Sequence, residues 1–299
     1  MSTVHRAGYD GSAAAHNAVA FAARLAGALG AELTAVSAHP ALPPALAPGA
    51  SAMADAELEH ELKADTLKLL EGLEDVPGIA HRRAVAGAPA RALVELAEHE
   101  GASLITVATT HRGRVGRLAG SVAERLLHGA PCAVLVVPPE VLADAPVRTV
   151  GVAFDDSPEA HAALDEAATI ARGLGAELLV LAVAEPVFTG TAWNLPKAYD
   201  AMDPDTREQF NARMAEAAAE HGGRATTLRG EAGPALIEAS KGTVDLLVCG
   251  SRSYGPLRAV LAGSVSRHLA DHAHCPVLVM PRGAHVHVDQ AAAAAAAEA

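Results

Sequence analysis

The chain contains an internal repeat, and this repeat limits the possible folds more than any other feature of the sequence. When the sequence is offset by 145 residues, Asp10–Leu33 aligns with Asp155–Leu178, and 13 of these 24 positions are identical. Each half has about 140 residues, an ordinary size for one domain. The repeat therefore predicts two copies of one domain. An offset of 143 residues aligns two further pairs of segments: Gly120–Val122 with Gly263–Val265, and Cys132–Val136 with Cys275–Val279.

The boundaries of the two domains follow from where the apolar pattern breaks. Proline residues interrupt the chain between Pro138 and Pro146, immediately after an apolar segment. The tail that follows the second half ends in a run of alanine and has no apolar pattern that could pack. We therefore expect a first domain over residues 1–140, a second domain over residues 146–283, and a disordered tail over residues 284–299.

The second half alternates strand-like and helix-like segments. An apolar run over Thr149–Phe154 predicts a strand. Ser157 and Pro158 are typical of the cap and the first residue of a helix. We expect this helix to run to Leu174, with Gly175 ending it in the left-handed conformation. The alternation then continues with strands expected over residues 177–183, 225–229, 244–249 and 275–280, and helices over residues 205–221, 234–241 and 264–273.

This order of elements predicts an α/β fold with a parallel sheet covered by helices on both faces. We expect two tandem doubly wound, Rossmann-like domains, each with five parallel strands in the order 3-2-1-4-5. The first half repeats the pattern, but its opening segment Val4–Tyr9 carries His5 and Arg6, so it is the weakest predicted strand. The final strands, Cys132–Val137 and Cys275–Met280, are apolar edges. Because an unpaired edge invites pairing, we expect them to join the halves as a pseudo-dimer.

The composition excludes several classes of protein. The formal net charge is −12 and Lys and Arg form no cluster, which argues against binding to nucleic acid or to an anionic membrane. No apolar stretch reaches the roughly 18 residues of a membrane span, and the N-terminus has no signal-peptide pattern. Three cysteines are too few for a disulfide framework. We therefore expect a cytoplasmic protein with reduced thiols that contacts neither nucleic acid nor membrane.

A ligand site is expected beyond the carboxyl ends of strands one and four of the second half, where the strand order reverses. Asp155 follows strand one, and Gly250 ends strand four. Gly263 and Ser264 begin the last helix, whose free N–H groups and positive dipole end suit a phosphate. The two glycines would let the backbone approach that phosphate, and Arg252 would supply a positive charge.

The same residues resemble a family signature. Gly250, two residues, Ser253, nine residues and Gly263-Ser264 resemble the G-x2-G-x9-G-[S/T] signature of the universal stress protein family, with Ser253 where the family has its second glycine. The resemblance covers both repeats and leaves out only the tail. It implies binding of ATP, with or without Mg²⁺, and places Asp155 and Val183 beside the adenosine. The ribose and phosphates would lie against the remaining residues: Gly250, Ser253, Gly263, Ser264, Val265 and Ser266.

The first half departs further from the signature. Its loop reads Ala108-Thr109-Thr110-His111 and then has eight residues, not nine, before Gly120-Ser121. Both loop glycines are missing there, although Asp10, Gly120 and Ser121 are kept. In the second half Ser253 keeps its backbone N–H, so we expect weakened binding there and not its loss. The sequence therefore predicts ATP chiefly in the second domain, with Asp10, Gly120 and Ser121 as the less favoured site.

Other chemistries have weaker support. The chain has no G-x-x-x-x-G-K-[S/T] loop, and no G-x-G-x-x-G follows the first strand of either half, which argues against a P-loop NTPase and a dinucleotide dehydrogenase. Asp155 and Asp156 are a candidate carboxylate pair for Mg²⁺, although consecutive side chains point apart unless the backbone turns. His16 and His161 occupy matching helix positions and are expected on the helix surface.

The remaining histidines and cysteines predict no metal site. His272, His274 and Cys275 straddle a helix end and lack a second pair of ligands. Cys132 and Cys275 open matching strands, where a small buried thiol is more usual than a redox sensor.

The sequence is compatible with three functions. The first is a cytoplasmic stress-response or regulatory protein that binds ATP mainly in the second domain and acts through a conformational change or an unidentified protein partner. The second is a nucleotide-free interaction protein of the same fold, which gains support if Ser253 requires a positive φ. The third is a slow ATP hydrolase, but no nucleophile or general base is evident, so we expect no enzyme activity beyond a weak ATPase. Whether the chain forms a homodimer is left open.

Overall fold

The protein is represented by a computed structural model, which describes residues 3–42, 50–111, 117–118, 121–184, 203–251 and 263–281. Strands and helices alternate through the first half, where two short strands precede the last helix. Its elements are β1 (Val4–Gly8), α1 (Ala13–Ala28), β2 (Glu32–His39), α2 (Ala50–Glu71), β3 (Ile79–Ala86), α3 (Pro89–Glu100), β4 (Leu104–Ala108), β5 (Thr110–His111), β6 (Arg117–Leu118), α4 (Ser121–Leu126) and β7 (Ala133–Val137).

In the second half every expected strand and helix is present, with ends shifted by two residues or fewer. Its elements are β8 (Thr149–Phe154), α5 (Pro158–Leu174), β9 (Glu177–Ala184), α6 (Pro204–Glu220), β10 (Arg224–Arg229), α7 (Ala232–Ala239), β11 (Leu246–Gly250), α8 (Ser264–His272) and β12 (Val277–Met280). The expected tail over residues 284–299 lies outside the described residues.

Helix α5 shows why the local signals in the sequence are reliable. The Ser157 hydroxyl accepts a hydrogen bond from the Ala160 N–H at 3.2 Å, so one free donor of the first turn is satisfied. Pro158 stands at the first helical position, where no N–H is needed. Gly175 ends the helix at φ 64, a conformation that glycine adopts without a steric penalty.

The two halves share one ten-stranded sheet with the order β10-β9-β8-β11-β12-β7-β4-β1-β2-β3. Within each half of this ten-stranded sheet all pairs are parallel and the order is 3-2-1-4-5, which confirms the predicted fold class. The halves join where β12 pairs with β7 in antiparallel fashion, with Val277 opposite Val136 and Leu278 opposite Leu135. The expected pseudo-dimer through the final strands is therefore confirmed.

Helices cover both faces of the sheet, and each face has its own apolar core. One core lies under α1, α5 and α6, and it runs without interruption across both halves. The opposite core lies under α3, α4, α7 and α8. A third cluster packs the outer side of α1 against the end of α2 in the first half. Large buried side chains of the two main cores include Phe21, Leu25, Leu164 and Ile170 on the first face, and Leu93, Leu126, Leu236 and Leu269 on the second.

Strand β1 is regular and fully inside the sheet, although its two charged or titratable side chains made it the weakest prediction. His5 is 0% exposed and Arg6 is 2% exposed. Arg6 donates to the Glu100 carboxylate and to the Thr34 hydroxyl, and Arg83 also pairs with Glu100. Pairing of this kind allows a buried charge to be kept in a strand. Sequence patterns alone do not reveal such partners, because Glu100 lies 94 residues away.

The first half contains one element that the sequence did not predict. Strands β5 and β6 form an antiparallel hairpin, with Thr110 opposite Leu118, in the position that corresponds to the loop between β11 and α8 of the second half. Strand β6 also packs against α8 of the second half. No helix among the described ranges is long and apolar enough to cross a membrane.

Candidate functional site

The two middle strands of the second half separate at their carboxyl ends. Strand β8 pairs with β9 up to Phe154, which lies opposite Ala182, whereas its pairing with β11 covers only the three residues Val150–Val152. Strand β11 continues to Gly250, which lies opposite Met280 of β12. The strand order reverses between β8 and β11, so the crevice expected for a ligand site in this fold would lie at this edge of the sheet.

Asp155 begins the loop on one side of this crevice. Its carboxylate accepts hydrogen bonds from the Ser157 N–H at 3.2 Å and from the Ser157 hydroxyl at 2.5 Å. The first half has the same turn, in which the Asp10 carboxylate accepts from the Ser12 N–H at 3.0 Å. Both exposed carboxylates are thus fixed close to the start of a helix. Val183, also expected at the site, is half-buried in β9.

Asp156 has an unusual conformation and faces different partners from Asp155. Its φ is 63, and it is the one described residue other than glycine with a positive φ. Its carboxylate contacts the His161 Nε2 at 2.9 Å and also pairs with Arg213. The two consecutive carboxylates therefore contact different partners, which does not favour the Mg²⁺ pair considered from the sequence. Among the described residues no group of three or more metal-binding side chains is present.

The two repeat histidines lie at the helix surface as expected, and each contacts a carboxylate. His161 packs edge-on against Phe154, with ring centroids 4.9 Å apart, and is half exposed. His16 contacts Asp75 through Nε2 at 3.0 Å, and this hydrogen bond lowers the pKa of Asp75. The matching histidines therefore make two different histidine–carboxylate contacts, one with Asp75 and one with Asp156.

Gly250 ends β11 beside α5. A β-carbon built on Gly250 would lie 2.9 Å from the backbone carbonyl oxygen of Glu159 in the first turn of α5. A close approach between strand and helix thus requires glycine here, independently of any ligand. Arg252 and Ser253, both expected at the site, lie outside the described residues, and so does Gly120 of the first half.

Helix α8 begins at the end of the loop that starts after Gly250. Gly263 is the N-cap, with φ −67 and ψ 175, and no side chain caps the first turn among the described residues. Ser264 is exposed and Val265 half-buried, while the buried Ser266 hydroxyl donates to the Gly263 carbonyl at 3.2 Å. The Ser266 side chain is therefore already engaged, and the first-turn N–H groups are the donors that remain for an anion.

The corresponding region of the first half is built differently. Helix α4 has only six residues, and the β5–β6 hairpin lies where the second half has its loop. Gly11, the counterpart of Asp156, has φ 82, and a β-carbon on it would lie 2.8 Å from the Leu69 side chain of α2. The turn after β1 therefore packs against α2 at Gly11, while Asp10 itself is exposed.

Two buried hydroxyl groups lie near these strand ends, and neither was predicted from the sequence. Ser251 follows β11 and is 0% exposed, and Thr109 follows β4 and is 2% exposed. Neither hydroxyl has a hydrogen-bond partner in the described part of the chain. The two positions correspond, because the Ser251 N–H donates to Met280 and the Thr109 N–H donates to Val137, each at the end of a final strand. The correspondence between Ser251 and Thr109 follows from strand pairing in the sheet, and no pattern in the sequence indicates it.

The three thiols are buried and unpaired. Burial raises the pKa of Cys132, Cys249 and Cys275 to about 12, so each is a neutral thiol near pH 7. This agrees with small buried thiols rather than redox sensors. The His274 N–H donates to the Ser240 hydroxyl, and the His272 ring stacks on His268 with centroids 4.5 Å apart.

Comparisons with known proteins agree with this fold. The model of the universal stress protein family matches residues 7–138 and 146–281. The chain is 32% identical over 143 residues to a universal stress protein of Bacillus subtilis, covering 43% of this chain and 95% of that protein. It is 39% identical over 84 residues to one of Methanocaldococcus jannaschii, which covers 27% of this chain and 49% of that protein. A Mycobacterium tuberculosis relative is 38% identical over 73 residues, or 23% of this chain and 26% of that protein.

Solved structures add evidence for the tandem arrangement. A universal stress protein from Archaeoglobus fulgidus has a TM-score of 0.68 at 19% identity, covering 95% of this chain and all of that chain. A putative universal stress protein from Pseudomonas aeruginosa has a TM-score of 0.60 at 17% identity, covering 94% and 93% of the two chains. These likenesses concern the fold. The family match over both halves establishes that the chain belongs to the universal stress protein family.

Proposed function

We propose that the second half binds ATP, in a regulatory or stress-response role, and that this half is the principal nucleotide site of the chain. The observation that carries the proposal is the uncapped N-terminus of α8 at Gly263. Its first-turn N–H groups have no side-chain acceptor in the described part of the chain, and the positive end of a nine-residue helix favours an anion. The signature-like spacing from Gly250 to Gly263-Ser264 supports a phosphate chain as that anion.

The proposed orientation follows from the sides of the crevice. The triphosphate would lie at Gly263 and Ser264, where the donors are, with Mg²⁺ supplied with the nucleotide. The adenosine would lie towards Asp155 and Val183, beyond the ends of β8 and β9. Because Gly250 is needed for packing against Glu159, its role at the site would be to bring the loop close to the ligand and not to contact phosphate itself.

The first half is proposed to bind ATP weakly or not at all. Its last helix is too short to provide a comparable anion site, and the β5–β6 hairpin replaces the nucleotide loop. We therefore expect titration with MgATP to saturate near one site per chain. The proposed output is a conformational or partner-binding change rather than catalysis, in a cytoplasmic setting that the three unpaired thiols support.

Two substitutions at Gly263 test the site by calorimetric titration. Gly263→Val places a side chain against the phosphate and should weaken ATP binding about tenfold to a hundredfold. Gly263→Asp should stabilise the free protein, because aspartate is a good N-cap at these backbone angles. The same carboxylate would repel the phosphate. This variant should raise the melting temperature of the free protein and abolish ATP binding.

The matched control is Gly120→Val, at the corresponding position of the first half, which should leave ATP affinity nearly unchanged. Parent-like affinity in both Gly263 variants would refute the proposed phosphate position. Two equivalent tight sites would refute the asymmetry between the halves. No binding of ATP by the parent protein would favour the nucleotide-free interaction protein, and phosphate release upon mixing with ATP would favour the slow hydrolase.

A further inference from the structure

A cavity of about 430 Å³ lies between α5 and α6, at the amino ends of β9 and β10. Its volume is within the range of about 300–1,000 Å³ that is typical of small-molecule sites. We propose that this cavity is a second ligand site and that it binds a small organic carboxylate with an apolar body. The proposed nucleotide site is at the carboxyl ends of the strands, so this inference goes beyond the proposed function and does not depend on it.

The repeat shows how the space arises. In the second half only residues 221–223 connect α6 to β10, whereas in the first half residues 72–78 connect α2 to β3. Two side chains of the longer connection, Leu73 and Val76, are buried in the cluster that includes the outer side of α1. The shorter connection consists of His221 and two glycines, so it has no apolar side chain to cover the matching part of α5.

The floor of the cavity is apolar. Ala168 and Ala171 of α5 and Leu178 of β9 line it, and each is 5% exposed or less. The residues at the 145-residue offset are identical and are buried in the core of the first half: Ala23, Ala26 and Leu33. The same surface is therefore covered by the chain itself in the first half, and an apolar group of a ligand can cover it in the second.

The rim of the cavity carries the charge that selects an anion. Arg172 stands where the first half has Gly27. Its guanidinium donates to the Thr169 hydroxyl at 3.1 Å, and it pairs with no carboxylate in the described part of the chain. Arg224 lies 3.6 Å from the Glu177 carboxylate, beyond hydrogen-bond distance. Two arginines and one glutamate leave one positive charge, which matches a single carboxylate better than a phosphate dianion.

The ends of α5 and α6 do not supply free carbonyl groups that would oppose this charge. Both helices end at the cavity, and an uncapped helix C-terminus disfavours an anion. The Ala176 N–H donates to the Ala171 carbonyl, and the Gly223 N–H donates to the Ala218 carbonyl, both at 2.8 Å. Because these carbonyl groups already have donors, the two arginines are the groups at the rim that can recognise a carboxylate.

The first test uses 1-naphthoate as the probe and 1-naphthylmethanol as its neutral analogue. Titration followed by ligand NMR should show one naphthoate site with a dissociation constant on the order of 1 mM or lower. Excess MgATP should not displace the probe. Arg172→Gln should weaken naphthoate binding about fivefold and leave naphthylmethanol binding unchanged. The matched control is Arg91→Gln, at an exposed arginine of α3, which should bind naphthoate like the parent.

The second test fills the cavity. Ala171→Leu should place its side chain in the open space, keep or raise the melting temperature, and abolish binding of both probes. Ala26→Leu is the same change at the matching position of the first half, where the alanine is 1% exposed in a filled core. It should overpack that core and lower the melting temperature.

Each contrary result overturns the proposal. If the parent binds no naphthoate at millimolar concentrations, the cavity is not a site for this class of ligand. If Ala171→Leu binds the probe fully, or if MgATP displaces it, the probe occupies another place. If Arg172→Gln weakens both probes equally or neither, the arginine does not recognise the carboxylate. If Ala171→Leu lowers the melting temperature as much as Ala26→Leu, the space is not available to a ligand. ATP binding is measured separately with MgATP, so these results leave the proposed function untouched.

Discussion

A β-carbon on Gly250 would lie 2.9 Å from the backbone carbonyl oxygen of Glu159. The end of β11 therefore packs directly on the first turn of α5, and the space at Gly250 belongs to the fold and not to a bound phosphate. Gly263 differs, because it caps a helix at φ −67, a conformation open to any residue. The glycines at these two signature positions therefore serve different purposes, one in packing and one at a helix N-terminus, and substitutions can distinguish the two.

Gly250→Ala should lower the free energy of unfolding of the ligand-free protein by about 1–3 kcal/mol, because the methyl group forces strand and helix apart. Chemical denaturation without nucleotide measures this change. Gly263→Asp, measured in parallel, should show no such loss. A parent-like stability of Gly250→Ala would mean that the strand end and α5 adjust freely, and Gly250 could then be assigned to ligand contact after all.

The fold was predictable because its signals are local or repeated. Capping at Ser157, termination at Gly175 and the apolar run of β8 each depend on a few adjacent residues, and the repeat carried these assignments to the first half. Strand β1 was the weakest prediction because Arg6 is stabilised by Glu100 through a contact between distant residues. The β5–β6 hairpin was missed for a related reason, since strands of two residues leave almost no pattern in a sequence.

The candidate site was predictable in position but not in detail. The strand order and the signature-like spacing indicate the edge of the sheet where Asp155, Gly250 and Gly263 lie. Asp155 and Asp156 have different partners, as expected for consecutive side chains, but the positive φ of Asp156 was not foreseeable, because the sequence usually reserves that conformation for glycine. The lack of a hydrogen-bond partner for the Ser251 hydroxyl among the described residues was not foreseeable either, because hydrogen bonding in a core depends on packing in three dimensions.

A second close approach joins the two halves. A β-carbon on Gly173 of α5 would lie 2.7 Å from the backbone carbonyl oxygen of Ala28, at the end of α1. Gly173→Ala should therefore destabilise the protein by about 1–3 kcal/mol, although alanine favours helix formation. The loss should appear as a lower midpoint of urea unfolding.

Gly27 provides the matched control for this contact. It lies one residue before the end of α1, as Gly173 lies one residue before the end of α5, and nothing lies within 4 Å of its added β-carbon. Gly27→Ala should raise the free energy of unfolding by about 0.5 kcal/mol through helix propensity alone. Equal effects of the two substitutions would show that the α1–α5 contact does not constrain the joined halves.

His5 makes stability depend on acid pH. Burial, and secondarily the charge of Arg6, lowers the pKa of His5 from 6.5 to about 4. A folded-state pKa below the unfolded value means that the unfolded chain binds the proton more readily. The stability linked to neutral His5 is therefore fully present above pH 6.5 and is lost as the pH falls from 6.5 towards 4. The loss at pH 5 relative to pH 7.5 should be about 2 kcal/mol.

His5→Leu isolates this contribution. Neither ring nitrogen has a hydrogen-bond partner in the described ranges, so an apolar side chain of similar size should be neutral or stabilising at pH 7.5. Urea unfolding of parent and variant at pH 7.5 and pH 5 measures the difference, because the other titrating groups are common to both proteins. The variant should lose about 2 kcal/mol less than the parent between these pH values. Parallel pH profiles for the two proteins would show that His5 keeps an ordinary pKa in the folded state.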